Sequence, residues 1–325
     1  MDGVSENTNS ATEVMREFHQ FENAQGGKAL DGASVKEVQQ ITKAAKDFYE
    51  SDDAQMVYKE IWGGDWIHVG QYDMLVGEDA KLEGSARLAR ACVIGTQELL
   101  RRCFPADGPA PETCTIMDFG SGVGGAARLA AKEYGCKTIC INITSRENAK
   151  NAELTKAAGL SDKVIIPGER SFFDTELPAE SVEVVFSQDC LLHAGDERHR
   201  VFTEAARVLK KGGLFAFTDL MMSEEADPKD MMSAFDRIHI KSMGTPKTYE
   251  RYGKENGLKK IEYSEMTNIM AQHYQLVEDI MVSKRGQVKD EELEFFESFL
   301  QGIAAWNELA RGGVMRWGYL VFKKE

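Results

Sequence analysis

The stretch Ile116-Met117-Asp118-Phe119-Gly120-Ser121-Gly122-Val123-Gly124-Gly125 decides how this chain folds. A short apolar run, fit for a buried strand, ends in an aspartate and then a glycine-rich turn. The turn opens directly onto a helical pattern over residues 125–134. Glycines at such a turn permit positive φ and let backbone approach a ligand with no Cβ in the way. From this point the chain alternates. Residues 137–142, 164–166, 182–187 and 214–218 read as strands, separated by helices over 146–158 and 198–209. Such alternation predicts an α/β fold, a doubly wound parallel sheet with helices on both faces.

The glycine spacing, Asp-x-Gly-x-Gly-x-Gly, departs from the GxGxxG of a dinucleotide fingerprint. An aspartate at the strand end suits a cationic ligand such as the aminoacyl end of S-adenosylmethionine. The turn is therefore read as a nucleoside-cofactor site, with a purely structural turn as the rival reading. The second strand ends in Cys140-Ile141-Asn142-Ile143-Thr144, where the acid that usually meets a ribose is replaced by Asn142. That substitution argues further against NAD. Ser171 and Phe172 fall where an adenine would lie, although Phe172 would serve equally well as core. The fourth strand ends in Ser187-Gln188-Asp189, with His193 four residues beyond Asp189. Strand tips of a doubly wound sheet face the ligand crevice, so these side chains become site candidates.

Before the sheet, residues 34–60 carry apolar positions at spacings of three and four, with Ser34 and Glu37 spaced as a capping box. An aromatic, glycine-rich run over 61–72 and a helix from about 82 to 103 follow. The proline-rich loop 105–111 is the clearest boundary. Residues 1–44 read as a flexible or loosely helical extension, 45–110 as a helical arm or lid, and 111–325 as the α/β domain. Within that domain, residues 224–310 read as a mostly helical insertion after the fifth strand, and 314–323 as a strand that closes the sheet.

The 325 residues carry 42% apolar and 28% charged side chains, a globular composition. A net charge of −14 argues against nucleic acid and anionic membrane surfaces as partners. No apolar run is long enough for a membrane helix. Six cysteines without CxxC spacing indicate reduced thiols and no metal site. Together with an N-terminus unlike a secretory signal, they point to a cytoplasmic protein. Oligomeric state is left open.

From about residue 45 onward the chain resembles the sarcosine/dimethylglycine N-methyltransferase family, which makes glycine betaine from S-adenosylmethionine. The resemblance rests on Tyr49-Glu50-Ser51-Asp52-Asp53, Ile61-Trp62-Gly63-Gly64, Ile67-His68-Val69-Gly70, Gly124-Gly125-Ala126-Ala127-Arg128 and Asn142-Ile143. It continues in Ser187-Gln188-Asp189, Leu192-His193, Thr218-Asp219, Asp236-Arg237-Ile238, Met243-Gly244 and Trp317-Gly318. A weaker resemblance to phosphoethanolamine methyltransferases implies a tyrosine–histidine dyad, here Tyr49 and His193. Motifs and resemblance together assign the cofactor S-adenosylmethionine to Ile67, His68, Asp118, Gly120, Ser121, Gly122, Asn142, Ile143, Asn148, Ser171, Phe172 and Gln188. They assign catalysis to Tyr49, Asp189 and His193, and a small amine or amino-acid substrate to Trp62, Tyr72 and Arg237.

Methyl transfer needs alignment and exclusion of water more than covalent help. An amine acceptor must also lose its proton, and His193 partnered by Tyr49 is the expected acceptor. Trp62, Trp66 and Tyr72 could meet a methylammonium by cation–π attraction, though Trp66 reads better as packing. The glycine-flanked run around Gly63 also reads as a lid. Arg237, with Arg170 and Arg316 behind it, is the candidate partner for a substrate carboxylate. The rival functions are methylation of another metabolite at O, S or C, including a lipid-like acceptor, and a non-catalytic cofactor-binding subunit.

Overall fold

β1 (Thr115–Phe119) is the centre of the molecule, paired in parallel with β2 (Lys137–Ile141) on one side and β4 (Val182–Gln188) on the other. β3 (Val164–Ile165) extends the sheet beyond β2, and β5 (Leu209–Met222) beyond β4. The chain then returns antiparallel: β7 (Met315–Lys324) inserts between β5 and β6 (Leu258–Glu265), giving the order β3-β2-β1-β4-β5-β7-β6. The computed structural model describes residues 32–62, 64–232, 235 and 240–325, with the side chains of 32–34 and 53 excepted. The expectations for residues 1–30, Gly63 and Arg237 lie outside the described residues.

Alternation along the strands sorts side chains to two faces. Met117, Phe119, Val185, Phe215 and Phe217 pack with α6 (Arg198–Val208) and α7 (Pro246–Glu255). Ile116, Val184 and Ala216 face a larger core. That core also takes in α2 (Asp52–Ile61), α3 (Gly84–Cys103), α8 (Thr267–Lys284) and α9 (Leu293–Arg311). Arm, sheet and insertion therefore share one interior. α4 (Gly125–Tyr134) and α5 (Ser145–Ala157) complete the βα units around the glycine turn. Among the described residues, no helix is long and apolar enough to cross a membrane.

Three expectations change. The helix expected over 34–60 is two: α1 (Gly32–Glu50) stops at Ser51, whose hydroxyl donates to Phe48 O and accepts the Ala54 amide to cap α2. Ser34 lies inside α1 and is not its N-cap. The insertion expected to be mostly helical contains β6, an edge strand pairing only with β7; with one covered side it needs little apolar alternation, so its sequence does not announce it. Finally, Trp62, Val69 and Tyr72 of the expected lid are buried in the shared core. Large aromatics find partners there, such as Phe299 and His273, and α1 is the element that stands at the cleft instead.

Candidate active site

Gly120 and Gly122 turn the chain away from β1 with φ of 77° and 50°, and Gly124 enters α4 at 78°. No L side chain adopts those values cheaply, which is why this turn is written in glycine. The turn floors a cleft whose free space, counted together with the solvent at its mouth, is about 760 Å³. Gly120, Gly122, Asn142, Ile143, Ser171, Phe172, Gln188, Asp189 and His193 line it from the sheet side, while Ile67 and Tyr49 line it from the arm. Ile41, Thr42 and Ala45 of α1 form its cover.

Beneath the turn, Asp118 is buried and is not among the residues that line the cleft. Its Oδ2 has no hydrogen-bond partner, and burial pushes its carboxyl up to about 8. A buried carboxylate left in this way is a site for a cation. Ser121 is also buried below the cleft. Asn148 serves the scaffold, donating to Asn142 O at 3.2 Å and to Gly168 O at 3.1 Å, so it fixes the β2 tip without facing the cleft.

The missing acid at the β2 tip is supplied from the next helix. Glu147, 4% exposed, lines the cleft and accepts from Asn142 Nδ2 at 3.0 Å and from the Thr144 hydroxyl. Burial raises its pKa, and those two donors oppose the rise. Sequence reasoning missed it. The signal was there: Thr144 and Glu147 have the spacing of a capping box at the start of α5.

A second, inner chamber lies behind the first. Tyr49, Ile67, Asp189 and His193 line both, and so form the seam between them. Tyr58, Trp62, Tyr274 and Trp306 give the inner chamber aromatic walls, and His68 and His273 line it too. At the seam, Tyr49 Oη lies 2.8 Å from His193 Nε2. A third opening, lined in part by Ile41, Gly195 and Asp196, also reaches His193.

Asp189 has φ of 48°, and its two carboxylate oxygens are both engaged. Oδ2 accepts the Val69 amide at 2.7 Å, and Oδ1 accepts the Trp317 indole N–H at 2.8 Å. Burial raises its pKa, opposed by nearby His68 and by those donors. Burial lowers the pKa of His68. His68 Nε2 lies 3.1 Å from the Thr96 hydroxyl, which donates to Gln188 Oε1 at 3.0 Å. Asp189, His68 and Gln188 thus tie the arm to the β4 tip. Asp189, of which catalysis was expected, lines both cavities and has its two oxygens bonded to Val69 and Trp317.

Tyr72 does not face the inner chamber. Its hydroxyl lies 2.8 Å from His273 Nδ1, behind that ring, and the residue lines a separate outer cavity. The expected substrate contact is corrected accordingly. Arg170 lines the cofactor-side cleft and pairs with Glu176 at 3.3 Å. Arg316 pairs with Glu265 and lines the same outer cavity as Tyr72.

Residues 117–217 match the methyltransferase domain family. The chain is 32% identical over 286 residues to the sarcosine/dimethylglycine N-methyltransferase of Halorhodospira halochloris, covering 88% of this chain and 97% of that protein. It is 34% identical over 277 residues to the glycine/sarcosine/dimethylglycine N-methyltransferase of Actinopolyspora halophila, covering 85% of this chain. It spans only 46% of that longer relative. Among solved structures, a Galdieria sulphuraria protein provisionally called a sarcosine dimethylglycine methyltransferase superposes with a TM-score of 0.75 at 29% identity. That match covers 84% of this chain and 99% of the other.

Proposed function

Because this chain belongs to the sarcosine/dimethylglycine N-methyltransferase family and is a methyltransferase that uses S-adenosylmethionine, we propose that its own acceptor is the nitrogen of sarcosine or dimethylglycine, leading to glycine betaine. The observation that carries this reading is the Tyr49–His193 hydrogen bond at the seam between the two cavities.

The cofactor fits the outer cleft on three counts. The unpartnered Asp118 oxygen beneath the glycine turn suits an ammonium group, and a Cβ at Gly122 would meet only Glu147 Oε1, at 3.9 Å. Glu147, held by Asn142, offers a carboxylate to ribose hydroxyls, and Ser171 and Phe172 border the adenine end. When bound, S-adenosylmethionine supplies an electrophilic methyl group on a sulfonium.

The chain's own work is on the acceptor. Aromatic walls in the inner chamber suit a methylated nitrogen, whose cationic form is attracted to ring faces. That nitrogen becomes a nucleophile only after its proton leaves. With Tyr49 donating to His193, the ammonium proton passes to Tyr49 Oη while the tyrosine's own proton moves to His193 Nε2. His193 then returns the proton to solvent through the third opening. Ile67 and α1 exclude bulk water while the reactants are aligned.

The test is a panel of amines, amino acids, thiols, hydroxy compounds and lipids incubated with methyl-labelled cofactor, with products identified by mass. Label in dimethylglycine and glycine betaine supports the reading. Label confined to another class of acceptor, or none at all, rejects it. Tyr49→Phe and His193→Asn should each lower kcat about a hundredfold or more while leaving cofactor affinity within about twofold. Undiminished kcat in both variants would remove the dyad from the mechanism.

A further inference from the structure

The motif Gly124-Gly125-Ala126-Ala127-Arg128 continues the glycine turn into α4, yet Gly125 and Arg128 are not among the residues that line the cleft or the inner chamber. Both meet the arm instead. A Cβ on Gly125 would lie 2.7 Å from the Asp65 carbonyl oxygen and 3.3 Å from the Trp66 ring, so α4 begins with glycine where the arm's backbone rests on it. Three residues on, Arg128 is 9% exposed and joins three other parts of the chain. Its Nη1 donates to Val123 O in the glycine turn at 2.6 Å and to Asn151 Oδ1 of α5 at 3.1 Å. Its Nη2 donates to the Asp65 carboxylate. A guanidinium presents its N–H groups in a fixed plane, so one side chain bridges acceptors that a lysine's single nitrogen could not hold in the same geometry.

The segment from Asp65 to Val69 is thereby pinned at both ends. Arg128 holds Asp65, and Asp189 accepts the Val69 amide at 2.7 Å. Between the two pins stands Ile67, which lines both the cleft and the inner chamber.

We propose that Gly125 and Arg128 form a seat for the arm, and that Arg128 is a positioning residue: by holding Asp65 it places Ile67 at the seam, where the cleft needs that side chain to bind the cofactor at full affinity. The guanidinium that fixes the glycine turn through Val123 also fixes the arm's side of the cleft, so the two walls are set by one group. The proposal concerns the cofactor and stands whichever acceptor is methylated.

The experiment measures the affinity for S-adenosylmethionine and S-adenosylhomocysteine by calorimetry, together with the melting temperature of the ligand-free protein. Asp65 is partly exposed, so its substitution opens no hole in the core. We expect Asp65→Ala to weaken both affinities about tenfold or more, the range for losing a hydrogen bond between charged groups. Asp65→Asn, which still offers Arg128 an acceptor, should recover part of the loss. Gly125→Ala should also weaken binding, although alanine is the better helix former, because its methyl group lifts the arm from the seat. Ile67→Ala should weaken binding by itself, and adding Asp65→Ala to it should cost no more than about twofold further, since both act through one side chain. Losses that multiply in the double variant would overturn the proposal. So would affinities within about twofold of wild type in both Asp65→Ala and Gly125→Ala, and a lower melting temperature alongside them would mark a purely structural role.

Discussion

Asp118 links the glycine turn to the protein's response to pH. Burial holds its carboxyl at about 8, far above its range in an unfolded chain, and Asp219, bonded to Tyr249, is also held at about 8. At these two sites the folded protein binds more protons than the unfolded chain between roughly pH 4 and pH 8, so their contribution to stability falls as pH rises through that window. The cofactor-free protein should melt at a lower temperature near about pH 8 than near about pH 5.5, with a shallower slope in Asp118→Asn. An identical slope in that variant would acquit Asp118. An ammonium group bound beside Asp118 favours its ionised form, so cofactor binding near neutral pH should release part of a proton. Calorimetry in two buffers of different ionisation enthalpy would detect the release. Equal heats in the two buffers would show that no proton leaves.

α1 and the start of α2 meet the N-terminus of α5 beside the cleft, where charges bind them. Glu50 Oε1 accepts the Ser145 amide at 3.0 Å, a favourable place for an anion at a helix start. Arg146 reaches Asp52 at 2.6 Å, and Lys46 reaches Glu169 at 2.5 Å across the cleft mouth. These pairs are exposed enough to be screened by salt. Lys46→Ala should speed cofactor dissociation about two- to fivefold at low salt, with the difference shrinking as salt rises. Stopped-flow release of the cofactor measures this, and a salt-independent rate in both proteins would show that α1 does not gate the cleft. Ser51→Ala removes the cap between the two helices and should cost about 1 kcal/mol of stability, read as a lower denaturation midpoint. The break at Ser51 was not legible because the apolar spacing of residues 34–60 runs on across it. The sheet strands were legible because each is a short apolar run with turn residues on both sides.

The late strands connect the far edge of the sheet to the seam between the two cavities. Trp317 on β7 bonds Asp189, which holds Val69 and with it the arm. Next to Trp317, Gly318 faces β6 so closely that a Cβ would lie 2.3 Å from Ser264 O. Gly318→Ala must push β6 from β7 or shift Trp317, so it should lower the melting temperature and weaken cofactor binding together. A lower melting temperature with unchanged cofactor affinity would show that the sheet edge is isolated from the site. The shared core of arm, sheet and insertion gives the reason to expect coupling, since no layer can shift without disturbing its neighbours.

What could be read along the chain was local in origin. Strand, aspartate and glycine turn are consecutive, so Asp118–Gly124 disclosed the α/β fold and pointed to the cleft above the turn without any knowledge of packing. The Tyr49–His193 pairing, separated by 144 positions, came from resemblance, and the folded structure sets it at hydrogen-bond distance. The inner chamber had no local signature. Its walls come from α2, α8, α9 and the arm, and only packing of those apolar faces decides which side chains turn inward. Packing also decided that Tyr72 would support His273 from behind, that Asp189 would bond Val69 and Trp317, and that Glu147 would supply the acid absent from the β2 tip. Sequence spacing reports the neighbours a residue has along one element; hydrogen-bond partners across elements are chosen by the tertiary fold, because burial makes an unpaired polar group costly.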